Sequence, residues 1–99
     1  MVMGETAVSR KRLHLLISGM VQGVWYRASA KDKAEVFYLT GWVRNLPDGR
    51  VEVVAEGDEE NLKQFMRWAW DGPPMAAVID IRALWEPYTG EFDTFNITE

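Results

Sequence analysis

Within a few residues the apolar pattern of this chain changes its period, and that change limits the folds open to it. Leu13, Leu15 and Ile17 alternate with His14, Leu16 and Ser18, the two-residue repeat of a strand, whereas Tyr26, Ala30, Ala34 and Phe37 recur at helical spacing. The stretch Ser18-Gly19-Met20-Val21-Gln22-Gly23-Val24-Trp25-Tyr26-Arg27 therefore contains a strand-to-helix turn with two glycines. The first N–H groups of a helix lack partners inside it, and the macrodipole favours negative charge there, so this turn is a potential anion seat. Gly19 and Gly23 permit positive φ or close approach of backbone to a ligand. Arg27 falls in the first helical turn, where its planar guanidinium can give a tetrahedral oxyanion two parallel charge-assisted hydrogen bonds. No Gly-Lys-Ser/Thr follows and no Gly-x-Gly-x-x-Gly is present, so the turn is not a nucleotide P-loop.

The remaining pattern completes one domain. A helix is expected over Ala28 to Leu39, stopping near Tyr38. Gly41 to Leu46 and Arg50 to Gly57 form two extended runs about Pro47-Asp48-Gly49, a turn in which proline presets φ and aspartate bonds its local backbone. Val43 and Asn45 share a face of the first arm; Val51, Val53 and Ala55 share a face of the second, with Glu52, Val54 and Glu56 opposite. Asp58 is a good N-cap for a second helix, with Glu59 and Glu60 in its first turn and Leu62, Phe65, Met66 and Ala69 as its buried stripe. Trp68 and Trp70 lie two apart, so at least one should be partly exposed. Gly72-Pro73-Pro74 ends that helix, Ala77 to Trp85 alternates as a long strand, and Phe92 to Ile97 makes a short last one. The order is βαββαβ plus a terminal strand. One-sided apolar patterning then implies an α/β (α+β) ferredoxin-like sandwich: an antiparallel sheet with two helices on one face and right-handed crossovers. Residues 1–10 show no sustained period and are expected to be a flexible arm before a single domain over 11–99.

Composition narrows the chemistry. With 99 residues the chain can bury a core without metal or disulfide help, and with 0 cysteines it has no thiol nucleophile or zinc–thiolate site. That fits a cytoplasmic setting. The lone His14 cannot make a metal site by itself, and no apolar run reaches the length of a signal peptide or membrane span. A net charge of −4 argues against general nucleic-acid binding, which depends on Lys and Arg neutralising phosphates. A stacking RNA module on this fold would need aromatic side chains on the open sheet face, where this chain offers His14, Leu16, Glu52, Val54 and Glu56.

Val21-Gln22-Gly23-Val24-Trp25-Tyr26-Arg27 resembles the signature loop of the acylphosphatases, and Thr40-Gly41-Trp42-Val43-Arg44-Asn45-Leu46-Pro47-Asp48-Gly49-Arg50-Val51-Glu52-Val53 resembles that family's second block. The resemblance continues through Ala55-Glu56-Gly57, Gly72-Pro73-Pro74 and Gly90-Glu91-Phe92 to Phe95, covering roughly residues 12–97. It implies hydrolysis of the carboxyl–phosphate anhydride of a small acyl phosphate, with inorganic phosphate as product and inhibitor and no metal or cofactor. Arg27 and the backbone N–H groups of Met20, Val21, Gln22, Gly23 and Val24, with Gly19 shaping the turn, are assigned to the phosphate. Asn45 is the matching position for holding the nucleophilic water. Arg44 and Arg50 are read as solvated strand-end charges. The chain departs from the family pattern at Tyr38, where glycine is frequent, at Tyr26, where phenylalanine is usual, and at Met20, where a basic or polar residue is common. A soluble monomer without nucleic-acid or membrane partners is expected. The competing reading is a phosphate- or metabolite-binding regulatory module of the same fold without turnover.

Overall fold

The computed structural model describes residues 9–98; most of the arm expected at residues 1–10 lies outside the described residues. The elements are β1 (Arg10–Met20), α1 (Tyr26–Val36), β2 (Thr40–Asn45), β3 (Val51–Asp58), α2 (Glu59–Asp71), β4 (Ala77–Pro87) and β5 (Phe95–Ile97). They form one sheet in the order β4-β1-β3-β2-β5. The first four strands pair antiparallel as the patterning requires. The fifth is parallel to β2, so the sheet is mixed and not wholly antiparallel. The reason is topological: β4 lies at one edge and β5 at the other, so the chain crosses the end of the sheet before running back beside β2. Most of that crossing has no strand pairing, which shortens the last strand from the expected Phe92–Ile97 to Phe95–Ile97.

Alternation decides which face is buried. Leu13, Leu15, Ile17, Val43, Val51 and Val53 have no exposed area and meet the stripes Tyr26, Ala30, Ala34 and Leu62, Phe65, Ala69 of the two helices. Burying each such aliphatic side chain contributes about 1.5–3 kcal/mol, so this face accounts for most of the favourable term in folding. Trp68 packs at the core edge against Tyr26 and Phe65, with ring centroids 5.4 and 5.7 Å away, while Trp70 is exposed. Glu56, on the opposite face, is nonetheless buried. The Thr89 hydroxyl, the Thr89 N–H and the Gly90 N–H donate to its carboxylate at 2.8 to 3.0 Å, and Arg12 lies 3.6 Å away, so the crossing segment is clasped over that end of the sheet. Pairing and hydrogen bonds of this kind make a buried carboxylate tolerable.

The two helix starts differ. Asp58 caps α2 by accepting from the Glu60 N–H, with Glu59 and Glu60 in the first turn. At α1 the N-cap is Trp25, which gives no side-chain hydrogen bond, and the first turn holds no acid. The end of α1 is a Schellman arrangement: the Leu39 N–H donates to the Ala34 carbonyl and the Tyr38 N–H to the Glu35 carbonyl, at 2.8 and 3.1 Å. Tyr38 adopts φ 56° to make it, so it takes the left-handed conformation for which glycine is the natural residue.

Candidate active site

Both β1 and β2 run antiparallel to β3, so their C-terminal ends lie at the same end of the sheet. The register makes this concrete, since Ile17 and Asn45 are both opposite Val51 and face the helices. Two strand spacings put their Cα atoms roughly 10 Å apart. A few residues past Ile17, β1 gives way to the loop Val21–Trp25, and α1 begins at Tyr26. Arg27, the loop and the end of β2 therefore converge on one corner of the molecule.

Gly19 and Met20 still belong to β1, where they pair with Val78 and Ala77 beyond a register shift at Ser18/Gly19. A Cβ on Gly19 would collide with the Ala77 carbonyl oxygen, so the close approach that demands glycine here is that of β4. Gly23 differs: it holds φ 74° and faces open space, so its glycine answers to the loop's own path. Val21 and Val24 bury their side chains in the core and so anchor the loop from beneath. Tyr26 is buried, and its hydroxyl donates to the Ala69 carbonyl at 2.7 Å, tying the start of α1 to the end of α2. Burial pushes the Tyr26 phenol well above its usual pKa, so it remains a donor at all working pH values.

Arg27 is partly buried and lines a cavity of about 320 Å³ with Val21, Gly23, Trp25 and Ile97 among its walls. Among the described residues it makes no ion pair. The nearby strand-end arginines are engaged: Arg44 Nε meets Glu52 at 2.7 Å and its guanidinium lies 5.0 Å from the Trp42 ring centroid, while Arg50 Nε meets Asp48 at 2.9 Å. Desolvation would raise the Glu52 carboxyl, but hydrogen bonds from His14 and Arg44 outweigh it and hold the group below the ordinary range. These pairs partly neutralise Arg44 and Arg50 and leave Arg27 as the cation presented to the cavity.

Asn45 does not line this cavity, and neither do Gly19, Met20, Gln22 and Val24. Asn45 is linked to the loop through Gln22, whose side-chain amide donates to the carbonyl oxygens of its neighbour Leu46 and of Arg50 at 2.8 and 2.9 Å. The Asn45 Oδ1 atom is shielded from solvent and finds no hydrogen-bond donor among the described residues. An acceptor left without a donor is an exception among buried polar atoms, and here it marks the end of β2 beside the loop. Sequence reasoning gave Gln22 only a backbone role and did not include Trp25 or Ile97. Trp25, in the left-handed conformation at φ 69°, is 76% exposed beside Arg27. Among the described residues no group of three or more His, Cys, Asp or Glu side chains could hold a metal, and no helix is long and apolar enough to cross a membrane.

The arrangement can bind a small anion through uncapped helical N–H groups and a forked cation. Residues 13–97 match the family model described as Acylphosphatase. An acylphosphatase of Methylococcus capsulatus is 56% identical over 89 residues, covering 88% of this chain and 95% of that protein. One from Pelotomaculum thermopropionicum is 48% identical over 90 residues, covering 91% and 98%. The crystal structure of acylphosphatase from Bacillus subtilis superposes with a TM-score of 0.87 at 34% identity, covering 90% of this chain and 99% of that one.

Proposed function

The chain belongs to the acylphosphatase family, and from that premise we propose that it hydrolyses acyl phosphates to a carboxylate and inorganic phosphate by direct attack of an oriented water. The observation that carries the site assignment is the contrast between the two helix starts. One is capped and flanked by acids; the other is uncapped, free of acids, and has Arg27 lining the adjoining cavity. That combination favours an anion of tetrahedral shape.

In this reading Arg27 and the N–H groups of the Met20–Val24 stretch hold the phosphoryl oxygens, and Asn45 orients the water. The water oxygen forms a bond to phosphorus as the bond from phosphorus to the acyl oxygen breaks, and the electron pair leaves with the carboxylate. Carboxylate is a weak base, so its departure needs no general acid. An amide cannot take a proton at neutral pH, so the proton passes from the water to a phosphoryl oxygen. Positioning and charge neutralisation supply the acceleration, which suits a chain with no cysteine. The same lack of cysteine supports a cytoplasmic setting, and we take the protein to act as a monomer.

The experiment is release of phosphate from benzoyl phosphate above the uncatalysed rate, with inorganic phosphate as competitive inhibitor. Activity is expected to survive exhaustive EDTA treatment. Phosphate binding without turnover would favour the regulatory reading instead.

A further inference from the structure

An acyl phosphate has two chemically distinct halves, and the cavity beside Arg27 is divided in the same way. Its cation is Arg27, while Trp25 and Ile97 contribute apolar surface that is 76% and 42% exposed. No second cation lines it, so nothing there would recognise an acyl arm that carries its own carboxylate or phosphate. At about 320 Å³ the space exceeds what a phosphoryl group fills and is of the size that holds a small organic group.

Trp25 is the informative residue. Its left-handed backbone, φ 69° and ψ 17°, is strained for any residue with a Cβ, and its indole is left mostly in water. The fold therefore gains little packing from this side chain. A flat aromatic face next to a cation is suited to stacking on a planar group attached to an anion held by that cation.

We propose that this cavity seats the acyl group, with Trp25 and Ile97 as specificity-determining residues that favour an uncharged, planar and above all aromatic acyl arm. The proposal rests on the assignment of Arg27 to the phosphoryl group. Trp25 supplies the stacking face, and Ile97 an aliphatic part of the lining, contributed by the short parallel strand β5.

The test compares kcat/KM for benzoyl phosphate and acetyl phosphate in the wild type, Trp25→Ala, Trp25→Phe and Ile97→Ala. Melting curves confirm that each variant is folded. Trp25→Ala is expected to lower the benzoyl-to-acetyl ratio about tenfold, mainly through KM for benzoyl phosphate, while inhibition by inorganic phosphate shifts less than about threefold. Trp25→Phe keeps an aromatic face and should restore most of the ratio, and Ile97→Ala should lower it by a smaller factor. A ratio that stays within about threefold of wild type in folded Trp25→Ala, with acetyl phosphate still hydrolysed, overturns the acyl seat alone. A wild-type protein that hydrolyses neither substrate overturns the assignment beneath it and the seat with it.

Discussion

Gln22 and Leu46 are bonded across the active corner: the Gln22 amide donates to the Leu46 carbonyl oxygen at 2.8 Å and also reaches the Arg50 carbonyl oxygen at 2.9 Å. One side chain thus fastens the loop before Arg27 to the hairpin that carries Asn45. Gln22→Ala is expected to lower kcat about tenfold, because in the proposed mechanism a phosphoryl group on one side and a water on the other must keep their relative placement. Loss of two modest hydrogen bonds should also cost about 1–2 kcal/mol of stability. Gln22→Glu should fail to rescue, since a carboxylate has no N–H to offer these carbonyls. Wild-type kcat in a folded Gln22→Ala variant would reduce the residue to a structural fastener.

Arg27→Lys keeps the charge and loses the fork. We expect most activity to disappear and inhibition by inorganic phosphate to weaken, with the melting temperature little changed because Arg27 makes no ion pair among the described residues. Steady-state kinetics with phosphate as inhibitor measure both effects. Near-normal values would move the phosphate site elsewhere.

Asn45→Ala should separate binding from turnover. The Oδ1 of Asn45 has no protein donor among the described residues, so a turn of the amide that exposes it breaks no hydrogen bond at that atom. Its removal should lower kcat by about 10²-fold while inhibition by phosphate persists. A folded variant that keeps kcat but loses phosphate inhibition makes Asn45 a binding residue.

Tyr38→Gly should stabilise the protein by about 1 kcal/mol, read as a rise of roughly 4–8 °C in melting temperature. The Tyr38 side chain is 86% exposed, so little packing is lost, while the left-handed backbone at φ 56° is relaxed. An unchanged or lower melting temperature would mean that the strain is smaller than the entropy glycine adds to the unfolded chain.

Much of this fold is legible wherever a residue's role is settled by near neighbours. The alternation of Leu13, Leu15 and Ile17, the cap at Asp58 and the bond from the Arg50 N–H to Asp48 within the hairpin turn are local facts, and each is realised. So is the place of Arg27 at the start of α1. Roles set by distant partners are less readable. The Gln22 amide finds its two acceptors only after the hairpin has folded beside it, and Glu56 becomes a buried anchor only because Thr89 and Gly90 arrive over the sheet. The parallel pairing of β5 rests on three residues, too few to show a period of their own. The left-handed backbone at Tyr38 is not legible in its own residue type, because side-chain chemistry does not announce φ.

The placement of Ile97 on β5 has a consequence for the order in which the protein becomes competent during synthesis. The Arg27 loop and the Asn45 hairpin precede β4 and β5 in the chain, so they leave the ribosome first and β1 can begin to pair with β3 before β4 has emerged. The apolar wall comes last in the order of elements, with β5. On the acyl-seat proposal a growing chain holds Arg27 and the Trp25 face early but gains the Ile97 wall only with β5, so the pocket for the acyl arm is completed by the finished sheet.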